Sequence, residues 1–445
     1  MNFWHIQLHP NDKQNWPPEK IKEILKETLC IGIGDDLEEG TIIDQFTHVL
    51  ENGDVVAVKN GETPIALVEV VGDIEHSPNP NSRLDWFPLR RKIRILDICK
   101  DAPGFYIPQP RGRFSRCADL NKDTSKVIID WFNRINQAKT LNDIIELILS
   151  NQQIILTGAP GTGKTYLARQ VAARIIGLEK VDNLENAPER FNFVQFHPAY
   201  DYTDFVEGLK PVKHANSSGN MIGFERRDGV FMKFCNDASK LGEKIPCVFV
   251  IDEINRADLS RVFGELFFAL EPDYRGVTFK TQYESLREAG ECGRFSVPKN
   301  VFIIGTMNDI DRSVESIDFA LRRRFAWYEV KADEARFDAV IQSDLDEAIK
   351  VEARARYIRL NKKIEATEGL GHSYQIGPAY YRKLQKHLEQ KKYAADNAEL
   401  WNIFWQCHLE LLLREYLRGR PDGEEQLAMF RTAYNHLDDL NQNVS

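Results

Sequence analysis

Apolar and polar positions alternate in short runs over the first 120 residues and stretch into helical spacing toward the C-terminus. Phe3–Leu8, Asp54–Lys59, Ile65–Val71 and Lys92–Ile98 read as β-strands, with Gly61-Glu62 as a turn between two of them. Pro18–Leu29 reads as a helix, with Pro18 near its start and Ile21, Ile24, Leu25 and Leu29 turned inward. The polar run Cys117–Lys126 reads as a linker. From about 121 to 330, apolar runs alternate with helical patterns, which predicts a parallel sheet. Its strands are Ile154–Leu156, Arg190–Phe196, Pro246–Ile251 and Val301–Gly305. From 331 to 445 the spacing predicts helices over Asp333–Asp346, Ala348–Ile364, Gly377–Gln390, Ala398–Leu417 and Gly423–Leu437, with Trp401, Phe404, Trp405, Leu409, Leu412 and Leu413 as core. Two turn-rich insertions, Lys210–Phe231 and Tyr274–Pro298, are hairpins facing a pore or a partner, or else passive surface loops.

The stretch with the clearest chemistry follows the run Ile154–Leu156. Gly158-Ala159-Pro160-Gly161-Thr162-Gly163-Lys164-Thr165 fits G-x-x-x-x-G-K-[ST], and an amphipathic run with Leu167, Val171, Ile175 and Ile176 on one face comes next. Glycines let backbone N–H groups approach phosphate oxygens, and a helix N-terminus adds partial positive charge. Lys164 is expected to reach the β- and γ-phosphates and Thr165 to hold Mg²⁺, with Tyr166 closing the nucleotide-binding set. Some ninety residues on, an apolar run ends in Asp252-Glu253. At the carboxyl edge of a sheet, Asp252 would hold Mg²⁺ and Glu253 would polarise the attacking water as general base. The third run, Val301–Asn308, ends in Asn308, which could orient that water or touch the γ-phosphate. Arg322-Arg323-Arg324 is either a solvated face or the source of an arginine finger, one or two of the three reaching a neighbouring subunit's nucleotide.

Composition narrows the picture. A 445-residue chain with 42% hydrophobic and 28% charged residues is expected to be a soluble globular protein of two or three domains. Its net charge of −9 excludes a global basic footprint for nucleic acid. Seven cysteines without a C-x-x-C pair fit reduced thiols in a cytoplasmic protein. The start, MNFWHIQLHPND, lacks the features of a signal peptide, and no apolar run is long enough to span a bilayer. Locally, Arg83–Arg116 holds nine basic residues against three acidic ones. With Phe3, Trp4, Trp16, Trp86 and Phe87 near, this stretch could hold DNA, Arg90 and Arg91 meeting phosphates and the tryptophans stacking a base. Alternatively the tryptophans fill a small core and the arginines face solvent.

The phosphate loop, Asp252-Glu253, Asn308 and the arginine run together resemble an AAA+ P-loop NTPase: an α/β core with a parallel sheet and a helical lid. FVQFHPAYDYTDFVEGLKP, IDEINRADLSRVFGELFFALEPDYRG and GTMNDIDRSVESIDFALRRRF narrow the resemblance to the McrB family, over about residues 150–330. That resemblance implies a GTPase (ATP being the other candidate nucleotide) with Asn308 as sensor, Asp311 and Arg312 in a signature loop, and Arg322 and Arg323 as fingers. The guanine motif of Ras-like GTPases is absent, so the residues themselves do not select GTP over ATP. It also implies a homo-oligomeric, hexameric ring that drives a McrC-like nuclease partner in modification-dependent restriction. In FWHIQLHP and NGDVVAVKNGETPIALVEVVGDI, the N-terminal part resembles the PUA-like group with its EVE and YTH domains, which bind modified bases. The expected organisation is therefore a β-rich, PUA/EVE-like reader of modified DNA at 1–120, an AAA+ large domain at 121–330 and a lid at 331–445. Gly371-His372-Ser373-Tyr374 resembles a lid segment of the McrB family, with His372 structural. A MoxR-type chaperone that remodels a protein, and a scaffold that binds nucleotide without hydrolysing it, are the competing readings.

Overall fold

A computed structural model of the protein describes residues 1–8, 16–34, 42–76, 87–100, 105–108, 113–118, 122–216, 219–286, 294–310, 322–333, 336–337, 340–341, 347–390 and 398–435. The chain forms two compact units. The first comprises Met1–Ala138 with Asp346–Val351, and the second Lys139–Leu345 with Glu352–Ser445.

The first unit is built on a six-stranded sheet of β1 (Phe3–Gln7), β2 (Cys30–Ile33), β3 (Val55–Asn60), β4 (Thr63–His76), β5 (Leu89–Ile98) and β6 (Phe114–Arg116), in the order β2-β5-β4-β3-β1-β6. Only β1 and β3 pair in parallel. Strand β3 shows why its sequence reads as a continuous apolar run, because both faces of the sheet are covered. Val56 and Val58 enter a core with Trp4, Ile6, Phe114 and the helix residues Ile21, Ile24 and Leu25. Val55 and Ala57 enter a second core with Ile128, Trp131 and Phe132. The helix Pro18–Thr28 begins on Pro18 as expected, but Leu29 is not an inward residue. It caps the helix in the left-handed conformation, φ 50°, and is exposed. The expected linker Cys117–Lys126 is also corrected, because a 29-residue helix starts inside it, at Asp123, and runs to Asn151.

The second unit carries β7 (Gln153–Thr157), β8 (Phe191–Gln195), β9 (Glu207–Asn216), β10 (Gly219–Asp228), β11 (Cys247–Asp252), β12 (Val301–Thr306) and β13 (Ala326–Glu329). Five of these form an all-parallel sheet in the order β13-β7-β12-β11-β8. Alternate residues of β7, β11 and β12 feed opposite faces. Ile155, Phe249, Ile251 and Ile303 pack under the helices Val230–Leu241 and Leu259–Phe263. Ile154, Leu156, Val248, Val250 and Ile304 pack under the helix Lys164–Ile175 through Leu167, Ala168 and Val171. Each such side chain, fully withdrawn from water, contributes about 1.5–3 kcal/mol, so the strands are fixed and their carboxyl ends stand in register.

Strands β9 and β10 form an antiparallel hairpin over the first insertion. At its base, wholly buried Glu207 meets Arg226 at 2.9 Å. The second insertion gives no hairpin among the described residues, only an isolated bridge between Phe279 and Phe295. In the last third, Glu347–Glu365, Lys383–Gln390, Ala398–Phe404, Glu410–Tyr416 and Gly423–Asn435 are helical, around Trp401, Phe404, Trp405 and Leu409. Most of the expected helix Asp333–Asp346 lies outside the described residues.

Candidate nucleotide site

The parallel register sets the site. Strand β7 delivers the loop Gly158–Gly163 to the carboxyl edge of the sheet, and the helix Lys164–Ile175 departs from it. Gly158 has φ +135° and packs so tightly on the residue after β13 that a Cβ there would lie 2.4 Å from the carbonyl oxygen of Val330. Only glycine accepts both conditions. Thr162 Oγ1 donates to the carbonyl of Ala159 within the loop, at 3.0 Å. Lys164 is buried, and its ammonium donates to the carbonyls of Gly158 at 2.9 Å and Ala159 at 2.8 Å. Burial pulls its pKa down to about 8, against the nearby carboxylates of Asp309, Glu253 and Asp252, which favour the charged form.

Strand β11, two places across the sheet, ends on Asp252. Thr165 Oγ1 donates to Asp252 Oδ1 at 2.7 Å, so the phosphate loop and the acidic pair are one site. The same oxygen accepts from Thr306 Oγ1, at the end of β12, at 2.6 Å. Glu253 turns out of the strand in the left-handed region, φ 52°, a costly conformation for glutamate. Its N–H donates to Thr306 Oγ1 at 3.3 Å, its Oε1 accepts from Asn308 Nδ2 at 2.9 Å, and its Oε2 lies 3.4 Å from Arg256 Nε. The ends of β11 and β12 thus bring Asp252, Glu253, Thr306 and Asn308 together beside the helix that leaves the phosphate loop.

Residues 153–325 match the family model described as AAA domain, dynein-related subfamily. Over 247 residues the chain is 40% identical to the Type IV methyl-directed restriction enzyme EcoKMcrB subunit of Escherichia coli K12, covering 54% of this chain and 50% of that protein. Over 244 residues it is 31% identical to the Type II restriction enzyme BsuMI component YdiS of Bacillus subtilis 168, covering 49% of this chain and 67% of that one. The chain belongs to the McrB-like AAA family. It spans about half the length of the first of these relatives. A structure of a mutant RuvB from Thermotoga maritima covers 67% of this chain and 82% of its own at 15% identity, with a TM-score of only 0.32.

In this McrB-like chain the phosphate loop, Asp252, Glu253 and Asn308 are brought together as the sequence predicts, on an AAA+ P-loop fold. Tyr166 sits on the first turn of the loop's helix with its side chain exposed. Asp311 and Arg312 lie outside the described residues. The arginine run divides. Arg322 and Arg323 are exposed, Arg322 over the Trp327 ring at 5.7 Å and Arg323 at 3.2 Å from Glu271. Arg324 turns inward against the same Glu271 oxygen, at 2.8 Å, and braces its own subunit. Gln153, the first residue of β7, donates to the Arg324 carbonyl at 2.7 Å and ties the run to the phosphate-loop strand.

Several site residues escaped sequence reasoning. Thr306 closes β12 directly before Met307-Asn308, so its place at a strand end was a usable signal. Asp309 lies near Lys164, and burial raises its carboxyl pKa. Arg336 donates to the Thr162 carbonyl at 3.1 Å. His372 pairs with Glu329 at 3.1 Å, a structural contact.

The first unit corrects three expectations. Trp4 is wholly buried, stacked on Phe114 at 4.9 Å, and its Nε1 donates to Asp54 at 2.9 Å, so it offers no face to a base. Arg91 is buried, and its guanidinium donates to the carbonyls of Leu50 at 2.7 Å and Thr47 at 3.0 Å, where the turn Gln45–Val49 ends. Trp16 is only 5% exposed. It lines a cleft of about 790 Å³ of mixed charge, with Lys20, Lys22 and Lys26 against Glu19 and Glu23; Lys22 pairs with Glu19 at 2.8 Å, and the Lys20 ammonium lies 4.5 Å from the Trp16 ring centre. Arg90 is half-buried and donates to the Phe87 carbonyl at 2.7 Å. Trp86 lies outside the described residues.

Proposed function

We propose that the protein is the nucleotide-hydrolysing motor subunit of a modification-dependent restriction system. The observation that carries this is the 2.7 Å contact from Thr165 of the phosphate loop to Asp252, beside a Glu253 held by Asn308. The Thr165 hydroxyl and the Asp252 carboxylate are hard oxygen donors at one spot, a set that suits Mg²⁺. When bound there, the ion would neutralise charge on the β- and γ-phosphate oxygens. Lys164 grips the same oxygens, Asn308 aims the Glu253 carboxylate, and Glu253 takes the proton of the attacking water. Exposed Arg322 and Arg323 reach the nucleotide of the adjacent subunit, so turnover requires a ring, a hexamer by family resemblance.

GTP is the preferred nucleotide by the same resemblance, with ATP the alternative. The names of the two curated relatives support a restriction role; a McrC-like nuclease as partner and modified DNA as the target of the first unit are what family resemblance implies. The test is hydrolysis of GTP and ATP by the purified chain, with and without a McrC-like protein encoded beside it. GTP turnover stimulated by that protein is expected. Turnover that ignores it and responds instead to an unfolded protein substrate would favour the MoxR-type reading.

A further inference from the structure

We propose that Gly377 is a positioning residue for the phosphate loop, through which the lid sets the loop's grip on the nucleotide. The proposal rests on the hydrolase reading above. Three successive carbonyls of the loop are held from outside it. Pro160 accepts from the Gly377 N–H at 2.9 Å, Gly161 from the Ala379 N–H at 3.0 Å, and Thr162 from Arg336 Nη1 at 3.1 Å. A trans peptide unit is planar, with its C=O and N–H antiparallel. Holding these carbonyls outward therefore aims the N–H groups of Gly161, Thr162 and Gly163 the opposite way, and such N–H groups are what a loop of this kind offers to phosphate oxygens.

The clasp leaves no room. A Cβ at position 377 would lie 1.9 Å from the Gly161 carbonyl carbon and 2.2 Å from the Thr162 nitrogen, both backbone atoms. Any other residue must drive segment and loop apart. The fit is mutual, since a Cβ at Gly161 would meet the Tyr380 ring at 2.7 Å. The segment is itself held to the long lid helix Glu347–Glu365. Buried Asn361 accepts from the Ile376 N–H at 2.7 Å and donates to its carbonyl at 2.9 Å. A displacement of that helix is thus passed through Asn361 and Gly377 to the peptide units that face the phosphates.

The test uses the full chain as unaltered protein, Gly377→Ala and Tyr380→Ala. It measures affinity for a fluorescent GTP analogue with Mg²⁺, thermal melting, and amide exchange over Gly161–Gly163 without nucleotide. Gly377→Ala should keep a cooperative melt at a lowered temperature, exchange those amides faster and bind more weakly by roughly tenfold or more, the worth of one charge-assisted hydrogen bond. Tyr380→Ala should show a smaller loss of the same kind. A folded Gly377→Ala with unaltered affinity and exchange overturns the proposal. Should Gly377→Ala fail to fold, Tyr380→Ala decides, and unaltered affinity and exchange in it overturn the proposal equally. No binding by the unaltered protein contradicts the hydrolase reading instead, and the exchange comparison then still decides the positioning claim.

Discussion

The two units use the same residue types for opposite ends. In the six-stranded unit, Asp54, Arg91 and Trp4 are buried and hydrogen-bonded within their own chain. Asp54 accepts from Trp4, from the Asn2 N–H at 2.6 Å and from the Glu51 N–H at 3.2 Å, while Arg91 takes up carbonyls. In the five-stranded unit, Lys164, Asp252, Glu253 and Asn308 converge from the carboxyl ends of three parallel strands, and Glu253 occupies a strained backbone conformation. The difference teaches that charged groups mark function when several of them, half-buried, meet a buried lysine at the ends of strands. A charge that completes backbone hydrogen bonds in the middle of a fold marks stability.

Substitutions in the two units should therefore separate. The largest expected effect of a single substitution is at Glu253. Glu253→Gln should lower turnover by about 10²–10⁴-fold, the usual worth of a positioned base, while nucleotide affinity and melting stay near those of the unaltered protein. Unaltered turnover in steady-state assays would reassign the base. Next is Trp4→Ala, which removes a wholly buried indole and should destabilise the first unit by about 3–5 kcal/mol. Its hydrolysis per folded molecule should be unaltered. Denaturant titration followed alongside turnover checks both, and a turnover defect without lost stability would contradict the division.

The third effect is set by pH. Burial, with Lys59 nearby, holds His5 at about 4, well below its ordinary 6.5. Its Nε2 lies 2.7 Å from Ser115 Oγ. The unfolded chain binds that proton more tightly than the fold does. The resulting stability is present above about pH 6.5 and is lost as pH falls toward about 4, by roughly 3 kcal/mol over the window. His5→Gln should flatten the slope in unfolding measured from pH 7 to pH 4. An equally steep slope in that variant would assign the acid sensitivity elsewhere.

Much of the nucleotide site was legible because its signals are local. The glycine spacing, an apolar strand ending in Asp252-Glu253 and a second ending near Asn308 each need only a few neighbouring residues. The rest depends on distant partners. The helix Asp123–Asn151 hid because its two halves serve different cores, Ile128 and Trp131 in one and Ile144 and Ile148 in the other, which breaks the single apolar stripe of an amphipathic helix. Trp4 and Arg91 could not be told from surface residues, since aromatic and cationic side chains have the same letters in a core as at an interface. Arg324 has the same letter as its two neighbours, and only Glu271 separates its inward role from their exposure. Gly377 carries no charge and lies far along the chain from Gly161, so its contact was invisible until the lid was folded onto the loop.

Catalysis shared between subunits is tested most directly by mixing two defective variants. Glu253→Gln lacks the base, and the double substitution Arg322→Ala with Arg323→Ala lacks the fingers. Each alone should be inactive, the second by about 10³-fold or more. Mixed in equal amounts, they should recover GTP hydrolysis, because an interface that joins an intact Glu253 from one subunit to intact arginines from the other is complete. A mixture that assembles and stays as inactive as its parts would contradict the shared site.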